Sequence, residues 1–300
     1  MSRLSVLLAL IFLSFSSWAK LKVVTTTTDM AALVREIGDD KVEVFSIAKG
    51  TQDPHQIEAK PSFMVKMRDA NLVVAQGLEL ESAWIIPLIQ GSRNTKINAG
   101  SDGYLELGEK INPIEIPGGK VSRAEGDVHP GGNPHFQLDP IRMGKAAAVV
   151  AERLGKLDSA NQEFYFKNVE KFQTRMLKKT KDWQARLSKT GIKEVVTYHK
   201  TFNYFFDRFG IGNPIQLEPK PGIPPTASHL IDVIDTMKKR KIRLVLIENY
   251  FDEKAGDKVM QEVPKSKVLL VPAAVEGEPS IKTLDDLIER LVKAIEDGSR

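Results

Sequence analysis

The 300-residue chain contains no cysteine. This absence excludes a disulfide framework, a thiol nucleophile, an iron–sulfur cluster and a cysteine-based zinc site. Any bound metal must therefore use histidines and carboxylates, and there are only five histidines. The 43 Lys and Arg residues exceed the 39 Asp and Glu residues by four, with no dense basic run interleaved with aromatics. We accordingly expect no nucleic-acid partner.

Local signatures of catalysis are also missing. The sequence has no nucleophile elbow, no phosphate-binding Walker loop, no dinucleotide glycine fingerprint and no HExxH zinc motif. A catalytic zinc ion would further require a general base beside an open coordination position. Glu58 is the only candidate near a histidine, and a surface charge explains it equally well. We therefore expect a non-enzyme, with a periplasmic zinc hydrolase as the alternative.

The N-terminal residues 1–19 resemble a secretory signal peptide. One arginine precedes the apolar run Leu4–Phe15, and the small residues Ser17 and Ala19 occupy the −3 and −1 positions of a cleavage site. The run is shorter than the roughly 20 residues that a membrane-spanning helix needs. We expect cleavage before Lys20 and a periplasmic protein without a lipid anchor, because no cysteine follows the run.

Two blocks of alternating strand and helix patterns follow, at 20–155 and 191–300. Such alternation is typical of α/β lobes with parallel sheets. The predicted strands are 22–28, 42–47, 71–75 and 95–98 in the N-terminal lobe and 194–198, 211–216, 242–247 and 268–271 in the C-terminal lobe. We expect two α/β lobes of similar construction.

A long helix is predicted between the lobes, within residues 156–190. From Ser159 to about Leu187 apolar residues recur at near-helical spacing without Pro or Gly. At a rise of 1.5 Å per residue this segment is about 43 Å long, more than a small lobe is wide. Because the apolar positions keep no strict seven-residue repeat, we expect a spine that joins two lobes of a monomer and not a coiled coil.

Three histidines occur where a strand ends or a loop approaches a helix. His55 lies in Asp53-Pro54-His55, His135 lies in Asn133-Pro134-His135, and His199 ends the predicted strand 194–198. Ligands of open α/β sheets bind beyond the carboxyl ends of the strands. Any one of these histidines alone is more often a loop or core side chain. Three imidazoles meeting in one cleft suit a transition metal, zinc first.

These motifs resemble the substrate-binding proteins of zinc and manganese ABC transporters, the cluster A-I or ZnuA/TroA-like family. The similarity covers essentially the whole mature chain. It rests on Asp53-Pro54-His55 with Lys60-Pro61-Ser62, on Asn133-Pro134-His135 with Leu138-Asp139-Pro140, and on Tyr198-His199 with the aromatic residues Phe202, Tyr204, Phe205 and Phe206.

The resemblance implies that His55, His135 and His199 bind a divalent metal ion in the cleft between the lobes. It also implies delivery of that ion to an inner-membrane ABC permease. Manganese-binding members often have a carboxylate in place of His199, so three imidazoles favour Zn²⁺ over Mn²⁺. Since only neutral imidazoles bind metal, we expect affinity to fall steeply from about pH 7 to about pH 5, with up to three protons competing.

The chain departs from the family at the fourth ligand, usually an Asp after the last strand of the second lobe. Residues 271–275 contain no carboxylate. Glu276, Glu278, Glu248 and a water molecule remain candidates for this position. A third hypothesis, an organic ligand or a metal chelate held on the same two-lobed plan, also stays open.

Two histidines lie outside the three motifs. His129 falls in a loop, 118–132, that is rich in His and Asp in many zinc-specific relatives. We expect an exposed loop histidine there, with transient metal capture as the alternative. His229, at the start of a predicted helix, is expected to face solvent. The basic run Lys238–Lys241 is expected to be a solvated helix end.

Overall fold

The protein is described by a computed structural model that covers residues 20–119, 121 and 126–300. The predicted signal peptide, residues 1–19, lies outside the described residues. Within the described ranges, no helix combines the length and the apolar character needed to cross a bilayer.

The N-terminal lobe contains a four-stranded, all-parallel sheet with the strand order β2-β1-β3-β4. Its strands are β1 (Leu21–Thr25), β2 (Val42–Ser46), β3 (Leu72–Ala75) and β4 (Tyr104–Glu106), and its helices are α1 (Thr28–Gly38), α2 (Pro61–Arg68) and α3 (Ile85–Ser92). The central strand β3 is buried along its whole length. Burial on both faces explains its uniformly apolar sequence.

The prediction of a strand at residues 95–98 is wrong. A 3₁₀ turn forms at Thr95–Ile97, and β4 at Tyr104–Glu106 takes the place beside β3. Asn94 caps the turn by accepting a hydrogen bond from the Lys96 amide, and its own amide group donates to two backbone carbonyls. Such side-chain bonds to the backbone compete with strand pairing.

Two helices follow the first lobe, α4 (Pro140–Leu157) and α5 (Gln162–Lys189). Asp139 caps α4, because its Oδ1 accepts hydrogen bonds from the amides of Ile141 and Arg142 at 2.8 and 3.2 Å. Pro140 in the first turn needs no such partner. The 28-residue α5 is about 42 Å long. The predicted long helix is therefore confirmed.

The C-terminal lobe contains a three-stranded parallel sheet with the order β5-β6-β7. Its strands are β5 (Val196–Thr197), β6 (Leu244–Glu248) and β7 (Lys267–Val271), and its helices are α6 (Asn203–Phe209), α7 (Ala227–Arg240), α8 (Lys254–Glu262) and α9 (Leu284–Gly298). The strand predicted at 211–216 forms only two isolated parallel bridges, through Gly212 and Gln216. The basic run at the end of α7 is exposed, as predicted.

Helix α5 joins the two lobes by packing on α1 and α4 and on α9. One continuous apolar core runs from Met30 of the first lobe through Phe172 and Trp183 of α5 to Leu291 of α9. Arg186 of α5 reinforces this contact with a two-point ion pair to Glu296, at 3.0 and 2.8 Å. The predicted class, two parallel α/β lobes joined by a spine helix, is confirmed. The boundaries at 155/156 and 190/191 stay predictions.

Candidate metal centre

Two of the three predicted ligands are held by the same kind of turn. Asp53 Oδ1 accepts a hydrogen bond from the backbone amide of His55, and Asn133 Oδ1 accepts one from the amide of His135, each at 2.9 Å. In both cases a proline separates the two partners. An Asx side chain that bonds the amide two residues on mimics a backbone turn, and proline restricts φ within it. The Asx-Pro-His pattern thus fixes where each imidazole leaves its loop.

Both turns are anchored to the N-terminal lobe through their proline carbonyls. The indole Nε1 of Trp84 donates to the Pro54 carbonyl at 3.0 Å. The amide Nε2 of Gln76, the residue after β3, donates to the Pro134 carbonyl at 2.6 Å. Because Gln76 directly follows β3, His135 lies near the carboxyl edge of the first sheet, and His55 lies beside it.

His199 comes from the second lobe, two residues after β5. Its Nδ1 lies 2.7 Å from Oε2 of Glu218, and both side chains are buried. Burial by itself lowers the pKa of His199, but the hydrogen bond and the charge of Glu218 outweigh it, so the pKa is raised. Sequence reasoning missed Glu218. The signal that could have identified it was its position two residues after the predicted strand 211–216.

The three imidazoles converge on one point. His55 Nε2 lies 3.2 Å from His135 Nε2, and one ring nitrogen from each of His55, His135 and His199 lies within 4.8 Å of the others. The ring planes of the three pairs meet at 65° to 88°. Two nitrogens bound to tetrahedral zinc at 2.0–2.1 Å are about 3.3 Å apart. The spacing of His55 and His135 therefore matches a zinc site.

The surroundings of two of these imidazoles favour the neutral form. Desolvation lowers the pKa of His55 and of His135 well below the usual value, and nearby imidazoles lower both further. His135 is 1% exposed, and within the described residues its Nδ1 has no hydrogen-bond partner. A neutral imidazole offers the lone pair that a metal requires.

His129 differs from its predicted exposed position. It is half-buried, and its ring stacks on that of His55 with centroids 5.2 Å apart and planes 24° apart. Burial lowers the pKa of His129 to about 4. A metal bonds in the plane of an imidazole ring, so two nearly parallel stacked rings do not share one ion. His129 thus covers His55 without joining the three-nitrogen cluster.

The acids considered for the fourth position have different environments. Glu276 and Glu278 pair with Arg35 and Arg290, at 3.4 and 3.1 Å. Glu248 at the end of β6 is fully buried, and burial raises its pKa to about 7. Within the described part of the chain neither of its carboxylate oxygens has a hydrogen-bond partner. None of the three acids belongs to the cluster within 4.8 Å.

The two remaining candidates lie apart from the cluster. His229 was predicted to face solvent, but it is half-buried. Its Nε2 lies 2.9 Å from the Gln216 carbonyl oxygen. The side chain of Glu58 is 81% exposed and pairs with Lys60 at 3.6 Å. This geometry gives Glu58 no contact with an imidazole within the described residues. A small cavity of about 50 Å³ opens beside His135 and His199.

The chain resembles known proteins in both sequence and fold. The sequence profile described as zinc-uptake complex component A, periplasmic, matches residues 23–298. The chain belongs to this family. A crystal structure titled ZnuA superposes with a TM-score of 0.80 over 94% of this chain and all of that one, at 21% identity. A periplasmic metal-binding protein from Candidatus Liberibacter asiaticus superposes with a TM-score of 0.76 at 20% identity.

Two relatives share about a quarter of their residues with this chain. The chain is 26% identical over 269 residues to the metal ABC transporter substrate-binding lipoprotein FimA of Streptococcus parasanguinis, covering 86% of this chain and 83% of that protein. It is 25% identical over 268 residues to the iron ABC transporter substrate-binding lipoprotein MtsA of Streptococcus pyogenes serotype M1, covering 87% and 83%. The matched relatives are metal-binding components of ABC transporters, with different metals in their names.

Proposed function

We propose that this protein captures Zn²⁺ in the periplasm and delivers it to an inner-membrane ABC permease. The observation that carries the proposal is the convergence of His55, His135 and His199 from two lobes into one cluster, in which His135 and His199 are buried and His55 is half-buried. Family membership supplies the transport role, that of a metal ABC transporter substrate-binding protein. The ion is the cargo, held by three neutral nitrogen ligands and released when those ligands separate or gain protons.

Zinc is favoured over manganese and iron by the donor atoms. Three imidazoles provide borderline nitrogen ligands, whereas manganese prefers sites rich in carboxylate and water oxygens. Relatives named for manganese and iron exist. The metal must therefore be decided from this chain's own donors, in which Glu218 bonds His199 and does not replace it as a ligand.

The fourth coordination position is assigned to water in this proposal. Glu276 and Glu278 are held by arginines. Glu248 is buried outside the cluster and interacts with His199 electrostatically. The cavity of about 50 Å³ beside His135 and His199 is large enough for a water molecule.

Hydrolysis and binding of an organic ligand fit the site less well. Pockets for drug-sized ligands measure about 300–1,000 Å³, several times the cavity beside the histidines. A hydrolase also needs a general base beside the metal-bound water. Glu58, the base considered from the sequence, is exposed and paired with Lys60. The monomeric, non-enzymatic carrier is accordingly the function proposed.

We further propose a periplasmic protein that is cleaved before Lys20 and carries no lipid. The streptococcal relatives are named lipoproteins. This chain has no cysteine to carry a thioether-linked lipid. An intact-mass measurement on the mature protein tests the proposal. A mass that includes residues 1–19 or an acyl chain would contradict it.

The deciding experiment is metal analysis of protein purified from the periplasm, followed by zinc and manganese competition in vitro. We expect one zinc per chain and a preference for zinc. Alanine substitution of His55, His135 or His199 should weaken zinc binding at least tenfold, or about 1.4 kcal/mol. His229→Ala is the matched control, because that imidazole lies outside the cluster. Equal losses in the control, or a preference for manganese, would overturn the proposal.

A further inference from the structure

Glu218 lies next to the histidine cluster without being part of it. Its Oε2 lies 2.7 Å from Nδ1 of His199 and also accepts a hydrogen bond from the backbone amide of Gly222 at 3.2 Å. The side chain is buried, at 6% exposure. A single carboxylate oxygen therefore connects one ring of the three-histidine cluster to a loop, residues 219–223. We call this loop the mouth loop.

The double contact fixes which nitrogen of His199 is available. An amide N–H can only donate, so Oε2 acts as an acceptor toward Gly222. A carboxylate oxygen that accepts on both sides requires Nδ1 of His199 to carry the proton. The lone pair of that imidazole is then on Nε2. A metal-bound histidine usually has such a partner on its other nitrogen, which sets its tautomer and orientation.

The three histidines differ in this respect. Nδ1 of His135 is buried and has no hydrogen-bond partner within the described residues. His55 is placed through its backbone, by Asp53. His199 differs because its ring nitrogen itself contacts a carboxylate, and it is the predicted ligand that the second lobe supplies.

The mouth loop also contacts the first lobe. The backbone amide of Asp127 donates to the Pro221 carbonyl at 2.8 Å. Gly126 and Gly222 both have positive φ, and an added Cβ at either would collide with the opposite loop, at Pro221 or Asp127. Glycine is thus required at both positions for this close approach. Two residues beyond Asp127, His129 stacks on His55.

We propose that Glu218 is the positioning residue of the metal site, holding Nε2 of His199 toward the cleft and tying this ligand to the mouth loop. The inference rests on the proposed function, since it assigns His199 as a zinc ligand. Metal binding at His199 then stabilises the Glu218–Gly222 hydrogen bond and the contact between Pro221 and Asp127. Metal binding and ordering of the mouth loop are thus coupled through the carboxylate of Glu218.

The test measures zinc affinity by chelator competition for the intact protein. Glu218→Ala removes both hydrogen bonds and should weaken binding about 10- to 100-fold. Glu218→Gln should weaken it less, because the Gly222 amide keeps the Gln oxygen facing His199 while the charge is lost. Glu58→Gln removes an equal charge from an exposed site apart from the cluster and should change affinity less than twofold.

A double-mutant cycle separates positioning from a general effect on folding. In a His199→Ala background, Glu218→Ala should cause no additional loss of affinity, because the ring that it positions is gone. Imidazole nitrogen NMR of metal-free protein should show His199 protonated at Nδ1 in the wild type and in Glu218→Gln. In Glu218→Ala the tautomer preference should be lost. Melting temperatures of the metal-free variants identify any that fail to fold. If Glu218→Ala does not fold, the zinc affinity of Glu218→Gln decides whether Glu218 positions His199.

Hydrogen exchange tests the link to the mouth. Zinc should slow exchange at the amides of Gly222 and Asp127 in the wild type, and this protection should disappear in Glu218→Ala. Binding within twofold of wild type for both Glu218 variants would overturn the inference. Full additivity with His199→Ala would overturn it as well. A wild type that binds no zinc would instead remove the proposed function itself, before any Glu218 variant is compared.

Discussion

His55 Nε2 and His135 Nε2 lie 3.2 Å apart. At most one proton fits in this gap, so at least one nitrogen presents a lone pair to the other. Two loops separated by 80 residues in sequence thus place these nitrogens at a spacing that matches two nitrogens bound to one tetrahedral zinc ion.

His129→Ala should change the rates of zinc exchange more than the affinity. The ring covers His55 and shields it from water, but its stacked geometry keeps it from binding the same ion. We expect equilibrium affinity within a few-fold of wild type and a several-fold faster dissociation. Stopped-flow transfer of zinc to a chelator measures this rate.

Val128→Ala is the control for His129, because Val128 also lines the cavity and has no ring against His55. It should leave dissociation near the wild-type rate. An affinity loss for His129→Ala as large as that for His135→Ala would show that His129 is a ligand and that our assignment is wrong.

Asp53→Ala should weaken zinc binding about fivefold, the equivalent of about 1 kcal/mol for one hydrogen bond. The variant removes the acceptor for the His55 amide, so the imidazole loses its fixed direction. Asp53→Asn retains an oxygen at the same position and should bind zinc nearly as well as wild type. Isothermal titration calorimetry distinguishes the two. Equal affinities for Ala and Asn would mean that the turn does not position His55.

Zinc affinity should fall between pH 7 and pH 5 with a slope near one proton, not three. Burial lowers the pKa of His55 and of His135 well below the usual value, so protons compete with zinc for these two nitrogens less than for His199. His199 has a raised pKa, owing to Glu218, and therefore binds a proton that zinc must displace as the pH falls. Affinity is thus highest above the pKa of His199 and decreases below it.

Competition titrations at three pH values, with proton release measured in two buffers, give this slope. His199→Ala should bind weakly but with little pH dependence over the same range. A slope of two or more would show that His55 and His135 also titrate there, as the sequence alone suggested.

Asp29 should reduce the stability of the fold as the pH rises. Its Oδ1 accepts a hydrogen bond from the Val275 amide of the second lobe at 2.9 Å, and burial raises its pKa to about 7. The folded state therefore holds a proton between about pH 4 and pH 7 that the unfolded chain has lost. Its contribution to stability is present at low pH and is lost as the pH rises through about 7.

Asp29→Asn keeps an acceptor for Val275 and removes the charge. Urea unfolding at pH 5 and pH 8 should give a smaller pH difference in the free energy of unfolding than in wild type, by up to a few kcal/mol. Glu43→Gln, at an exposed position of β2, should leave the difference unchanged. A pH difference in Asp29→Asn equal to that of wild type would contradict the prediction.

The amino-acid sequence by itself determined the local geometry of two predicted ligands, His55 and His135. In Asp53-Pro54-His55 and Asn133-Pro134-His135 the side-chain acceptor, the restricted φ and the imidazole lie within three consecutive residues, so the turn forms from short-range interactions. The long helix α5 was predictable for a similar reason, because its apolar spacing is a property of the chain and not of its neighbours.

Only the tertiary structure decided the rest of the site. Residues 95–98 have a strand-like composition, but Asn94 captures their backbone and β4 pairs with β3 instead. Glu218 reaches His199 across 19 residues, and His129 stacks on a ring 74 positions away. Each of these contacts joins distant segments of one lobe, and it depends on how the loops of that lobe fold over its sheet, which no local pattern encodes. The predicted metal ligands could be identified from local motifs, whereas the side chains that orient and cover them come together only in the folded protein.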